Sequence, residues 1–174
     1  MDFKTLTSVR QSCRNFSKKE VSRESITTCL EAARLAPSAC NAQPMLVTVC
    51  TGDLGRDVGA CTRSLGMNRF TADVPCFLVV SEAGYNATAS IGSRVKGQDY
   101  RSIDIGIAVA HLTLAAAELG LATCILGMFD ETKLKKLLGI KNRIRLVIAL
   151  GYAADGDPLR PKVRKKMDEF ADFR

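Results

Sequence analysis

The chain has 174 residues, with 25 Lys plus Arg against 18 Asp plus Glu, a formal charge of +7, seven Cys, one His and no Trp. With 47% hydrophobic and 25% charged residues, it is neither a disordered chain nor a repetitive fibre. Its length suits one domain spanning 1–174, burying roughly 70% of the surface the unfolded chain would expose.

The single His and the absence of a C-x-x-C pair leave no signature of a zinc centre, a redox dithiol or a Ser-His-Asp hydrolase, and most cysteines read as small buried hydrophobes. The apolar run Ile105 to Ala117 is 13 residues long and contains His111, whereas a spanning helix needs about 20. No basic region leads into an apolar segment after Met1-Asp2-Phe3-Lys4, so the expected location is the cytoplasm, with no membrane partner. The charge of +7 fits nucleic acid, an anionic membrane surface or a phosphorylated ligand, and its distribution must decide.

A short opening segment, residues 2 to 8, precedes Arg10-Gln11-Ser12-Cys13-Arg14-Asn15-Phe16. Ser22 is an N-cap for a helix that carries Ile26, Cys29, Leu30 and Ala33 on one face up to Leu35, before Pro37. Met45 to Thr51 reads as a buried strand, and Asp53 to Leu65 as a helix. Cys76 to Val80 is a second strand. Residues 82 to 101, with Gly84, Gly92 and Gly97, read as a loop or irregular helix. Ser102 caps a long helix on which Ile103, Ile107, Ala110, Leu114, Ala117 and Leu121 recur. A strand over Leu121 to Leu126, a helix over Glu131 to Leu138 ended by Gly139, and a strand over Ile144 to Leu150 stopped at Gly151 complete the pattern. This alternation predicts an α/β or α+β layer structure around one sheet. The polar tail from Asp155 is basic at five of the seven residues from Arg160 to Lys166.

Neither a P-loop nor a G-x-G-x-x-G fingerprint is present, so any bound phosphate must be held by Arg and Lys. Arg10 and Arg14 flank Ser12 at spacings of two, an arrangement that suits a phosphate or the carbonyl edge of a heterocycle, and equally a solvated basic turn. Between Ala36 and Pro44, Ser38, Asn41 and Gln43 lie between two prolines. Asn41 and Gln43 would present amides to a heterocycle edge, or all three would serve as turn residues after a helix stop. His111, within the long apolar run, reads as a buried core or interface histidine.

These segments and four others occur in one order: Arg10-x-Ser12-x-Arg14-x-Phe16, Ala-Pro-Ser-x-x-Asn-x-Gln-Pro from Ala36 to Pro44, Asp73-x-Pro75, Leu114 to Cys124, Leu150-Gly151-Tyr152, and Pro161-Lys162-x-Arg164-Lys165. Together they resemble the nitroreductase family over nearly the whole chain. The resemblance implies a nitroreductase-like fold, with a central mixed, largely antiparallel sheet flanked by helices, in an intertwined homodimer holding FMN at the subunit interface. It implies FMN contacts from Arg10, Gln11, Ser12 and Arg14, with Gln11 where the family often has a basic residue, and from Lys162 and Arg164 at the phosphate. Pro37, Ser38, Ala39 and Asn41 would approach from the partner subunit, Gln43 in the same stretch would also contact the cofactor, and a backbone donor at Leu126 or Gly127 would face the flavin. Asn68 and Arg69 lie near where the family supplies an Asn and a basic residue, at a spacing that does not match. The implied activity is hydride transfer from NADH or NADPH through FMN to a nitroaromatic, quinone or similar small acceptor, by ping-pong turnover. A flavin carrier or sensor without turnover is the alternative. No nucleic-acid partner is expected, because the basic tail lacks the aromatic platforms of single-strand binders.

Overall fold

In the computed structural model, residues 1–174 are described, the side chains of Leu65 and Arg94 excepted. Two long strands form its middle: β3 (Cys76–Glu82) and β5 (Ile144–Ala153), paired antiparallel. β2 (Met45–Thr51) pairs with the outer edge of β3. The other edge of β5 carries β4 (Ala122–Leu126) and the two-residue β1 (Phe16–Ser17). Every strand pair is antiparallel, and one isolated parallel bridge joins Ser12 to Thr123. The largely antiparallel sheet flanked by helices that the family resemblance implied is the sheet observed, its one parallel element being the Ser12–Thr123 bridge.

β3 is buried from Cys76 to Ser81 because both faces of the sheet are covered. Side chains alternate along a strand, so Cys76, Leu78 and Val80 join Ile148 and Leu150 in one core with helices α2 (Arg23–Arg34) and α5 (Tyr100–Glu118). Phe77, Val79, Val147 and Ala149 join a second core with Val58 of α3 (Gly52–Thr62) and Leu134 of α6 (Glu131–Leu138). A fully buried Phe such as Phe77 contributes roughly 1.5–3 kcal/mol by leaving water. The helix caps follow the sequence: Ser22 Oγ accepts the Ser25 N–H at 3.1 Å, and Gly139 closes α6 at φ 67°, a conformation open to glycine at little cost.

Several boundaries differ from expectation. The opening segment is a helix, α1 (Phe3–Val9), capped by Asp2. α3 ends at Thr62, and Ser64–Gly66 form a separate turn rather than extending the helix to Leu65. α5 begins earlier than expected: Asp99, not Ser102, is the cap, and its carboxylate accepts both the N–H and the hydroxyl of Ser102. Of the loop or irregular helix expected over residues 82 to 101, the helix forms, as α4 (Ala87–Lys96). β5 does not stop at Gly151 but runs on to Ala153 and pairs with β1. Gly151 allows this, since a Cβ there would lie 2.9 Å from Pro75 Cδ and 3.1 Å from Phe16 Cδ1. The tail carries one helical turn, α7 (Met167–Phe170).

Five cysteines are buried, Cys61 is half-buried and Cys40 is exposed, all as free thiols. Burial pushes the Cys76 thiol up to about 12, and the Cys29 and Cys50 thiols up to about 11, which makes all three inert as nucleophiles at neutral pH. His111 is not a core residue: it stands exposed on α5.

Candidate functional site

The two ends of the chain meet. After β5 the chain turns back along the segment that follows α1, and Gln11 clamps it: its amide nitrogen donates to the Pro158 carbonyl at 3.1 Å and its amide oxygen accepts the Arg160 N–H at 3.0 Å. The Arg160 guanidinium donates to the Ser12 carbonyl at 3.2 Å and to Asp157 at 3.3 Å. Lys162 then reaches back to donate to the Arg10 carbonyl at 2.5 Å. Burial, and beyond it the charges of Arg10 and Arg164, holds the Lys162 ammonium below the ordinary lysine range. Arg14 belongs to the same group: burial pushes the Cys124 thiol up while the charges of Arg14, Arg10 and Arg160 oppose it.

Among the described residues, none of Arg10, Arg14, Lys162 and Arg164 forms an ion pair with a carboxylate. The one carboxylate paired within this group among the described residues, Asp157, is taken by Arg160, and four like charges with no carboxylate paired to them have the chemistry that suits an anion. Ser12 is anchored beside it through its bridge to Thr123, and the Cys13 N–H donates to the Thr123 carbonyl at 2.9 Å.

That bridge brings the N-terminal segment against β4. Arg10 and Ile125 line one cavity with Gly106, Ala110 and Leu114 of α5. β4 ends at Leu126, whose side chain is buried in the core, so only its backbone is available to a ligand. Gly127 follows in the open, with no atom within 4 Å of where a Cβ would stand. Asn68 fixes the next turn by donating to the carbonyls of Thr62 at 3.1 Å and Met128 at 3.0 Å. The sequence had flagged Asn68 without fixing its place; its left-handed backbone, φ 51°, is a local feature that spacing does not reveal.

The Pro37–Gln43 loop lies elsewhere. It follows α2 as a tight turn over Ala39–Asn41, with Cys40 and Asn41 at φ 50° and Gln43 at φ 46°. The Gln43 N–H donates to Ser38 Oγ at 3.0 Å and its side-chain amide to Asn41 Oδ1 at 3.1 Å. Asn86 donates to the Cys40 carbonyl at 3.1 Å, and Asp104 Oδ1 accepts the Ala39 N–H at 3.0 Å. Pro37, Ser38 and Gln43 line a cavity of about 160 Å³ with residues of α2, β2 and α5, whereas Arg10 lines two others. Within one chain the predicted residues therefore form two groups.

Arg160, Asn86 and Asp104 were missed as candidates. Arg160 lay within the basic run; Asp104 carried only the weak signal of a carboxylate in an apolar helix, and Asn86 that of a polar loop residue. Among the described residues no three His, Cys, Asp or Glu groups cluster as metal ligands, and no helix is long and apolar enough to cross a membrane.

Comparison with known proteins bears on this arrangement. A protein from Streptococcus pneumoniae TIGR4, of the nitroreductase family, superposes with a TM-score of 0.85 at 22% identity, covering 99% of this chain and 100% of that one. A protein from Exiguobacterium sibiricum 255-15, solved in complex with FMN, superposes with a TM-score of 0.82 at 21% identity, over 100% of this chain and 98% of that one. An iodotyrosine dehalogenase 1 homolog of Caenorhabditis elegans is 26% identical over 186 residues, which is 91% of this chain but 56% of that protein's length. The sequence model of the nitroreductase family matches residues 8–63 and 55–152, from the N-terminal basic segment to the end of β5, and the chain belongs to that family.

Proposed function

We propose that the protein is an FMN-dependent oxidoreductase. The observation that carries this reading is the meeting of Arg10, Lys162 and Arg164: basic residues from opposite ends of the chain repel one another across a short distance without an ion-paired carboxylate. A phosphate dianion is the group that such a cluster fits. The Exiguobacterium protein solved with FMN supports the choice of phosphorylated ligand.

When bound, FMN would supply the redox chemistry, taking hydride from NADH or NADPH and passing it to a nitroaromatic, quinone or similar acceptor in two half-reactions. The chain's own work is binding and orientation. Arg10, Arg14, Lys162 and Arg164 would neutralise the phosphate, and Ser12 would add a hydroxyl beside it. Gln11, whose amide already holds the tail, would keep the tail's basic residues in place. The backbone at Leu126 and Gly127, its turn fixed by Asn68, would offer a donor to the flavin ring without a titrating side chain.

Pro37, Ser38, Ala39, Asn41 and Gln43 would complete the site of a partner subunit. Two observations favour that composite arrangement: the loop and the basic cluster line separate cavities within one chain, and apolar side chains stand exposed on the sheet edge and tail. Leu46 on β2 is 59% exposed, and Phe170 and Phe173 are 79% and 89% exposed. A partner subunit would cover such exposed apolar side chains.

The test is the visible spectrum of the purified protein, followed by anaerobic mixing with NADH and with NADPH. A flavin spectrum that bleaches within turnover time, and recovers with a nitroaromatic, a quinone or a halophenol, is the expected result. A bound flavin that neither donor reduces would mark a carrier or sensor, and a protein that takes up no FMN would overturn the reading.

A further inference from the structure

We infer that Asp104, on the buried face of α5, is a positioning residue for the flavin-facing loop, its carboxylate holding the Ala39 N–H and thereby the turn that presents Asn41 and Gln43. This rests on the FMN reading above. Asp104 is only 5% exposed, and its Oδ1 accepts the Ala39 N–H at 3.0 Å across 65 positions of sequence. Its Oδ2 is buried and has no hydrogen-bond partner among the described residues. Burying a carboxylate between Ile103 and Ile105 on a core helix is costly, so packing alone does not account for an acid there.

The loop supplies the reason. Cys40, Asn41 and Gln43 all hold positive φ, a conformation that L side chains keep only where the surroundings over-determine it. Several side-chain contacts hold this turn: Ser38 Oγ accepts the Gln43 N–H, the Gln43 amide donates to Asn41 Oδ1, Asn86 Nδ2 donates to the Cys40 carbonyl, and Asp104 accepts the Ala39 N–H. Asn86 and Gln43 are exposed, where water competes, whereas Asp104 is buried on a 19-residue helix, where it does not. The rigid element and the most buried of these contacts coincide at this residue. Asp104 touches no ligand atom in this role; it acts through the Ala39 backbone.

The experiment compares wild type, Asp104→Ala and Asp104→Asn by FMN titration and by hydrogen exchange of the FMN-free protein. Asp104→Ala is expected to weaken FMN binding by about tenfold or more and to speed exchange across 37–43 while leaving 76–82 unchanged. Asp104→Asn keeps an acceptor oxygen and should restore most of both. Wild-type exchange and affinity in Asp104→Ala would overturn the inference, as would an Asn variant no better than Ala. Should Asp104→Ala fail to fold, Ala39→Pro removes the same donor from the other side. Ser38, at φ −143° and ψ 155°, already has the extended backbone that precedes proline, and wild-type exchange and affinity in that variant would overturn the inference equally. A wild-type protein that binds no FMN would defeat the cofactor reading alone, since loop exchange still decides whether Asp104 holds the turn.

Discussion

Arg10 and Lys162 are 152 positions apart and joined by a 2.5 Å hydrogen bond. The bond uses the Arg10 carbonyl, which leaves its guanidinium for a ligand. Replacing Arg10 or Arg164 with Ala should each remove about 1.5–3 kcal/mol of FMN binding, a loss readable as weaker flavin retention on titration. Lys162 gives the site a pH dependence whose sign follows from its depressed pKa. A dianion stabilises the ammonium form, so affinity should fall as pH rises through the lysine's lowered pKa, earlier than an ordinary lysine would allow. Flavin titrations across the alkaline range should display that decline, and Lys162→Ala should flatten it. The basic residues themselves were legible in the sequence as candidates, because residue type and order carry them. Arg160 and Asp104 were not, because their roles depend on which carbonyl or N–H the fold places beside them.

Among the elements, β5 organises the molecule: it pairs with β3 on one side and with β4 and β1 on the other. Its passage through Gly151 is what lets β1 join, and β1 leads directly from the basic segment of Arg10 to Arg14. Gly151→Ala would push a methyl group against Pro75 and Phe16. Overpacking of this kind costs about 1–3 kcal/mol, measurable by denaturant unfolding, and flavin retention should fall with it because β1 anchors the site. Glycine after an apolar run reads as a stop in sequence, and only its neighbours in space make it a passage. The same limit applies at the start of α5. Asp99 and Ser102 are both fair caps by residue type, and the carboxylate of Asp99 takes the role by accepting both Ser102 groups. β3, α2 and α6, by contrast, follow their sequence patterns closely, since period and capping chemistry act locally. β2 keeps its expected span but not its expected burial: it is the outer strand beside β3, so Cys50 is buried while Leu46 and Val49 stand exposed.

At the level of the whole molecule, the separation of the basic cluster from the Pro37–Gln43 loop makes a test of the composite site. If each site takes Arg10 from one chain and Asn41 from the other, Arg10→Ala and Asn41→Ala proteins should each lose flavin. Refolded together they should regain some, because mixed dimers carry one intact site. No recovery in the mixture, judged by flavin absorbance, would place both residues in the same chain's site or outside it.

What the sequence by itself determined is the alternating pattern of elements, the cysteine-rich apolar interior and the order of basic and amide-bearing segments, all of which depend on local periodicity and residue chemistry. The tertiary structure alone decided that the charge of +7 is partly concentrated where the chain's two ends meet, that His111 faces outward, and that a buried Asp104 holds a loop 65 positions away. Those outcomes depend on long-range pairing of the sheet and on the burial it creates, and neither is written in any short stretch of residues.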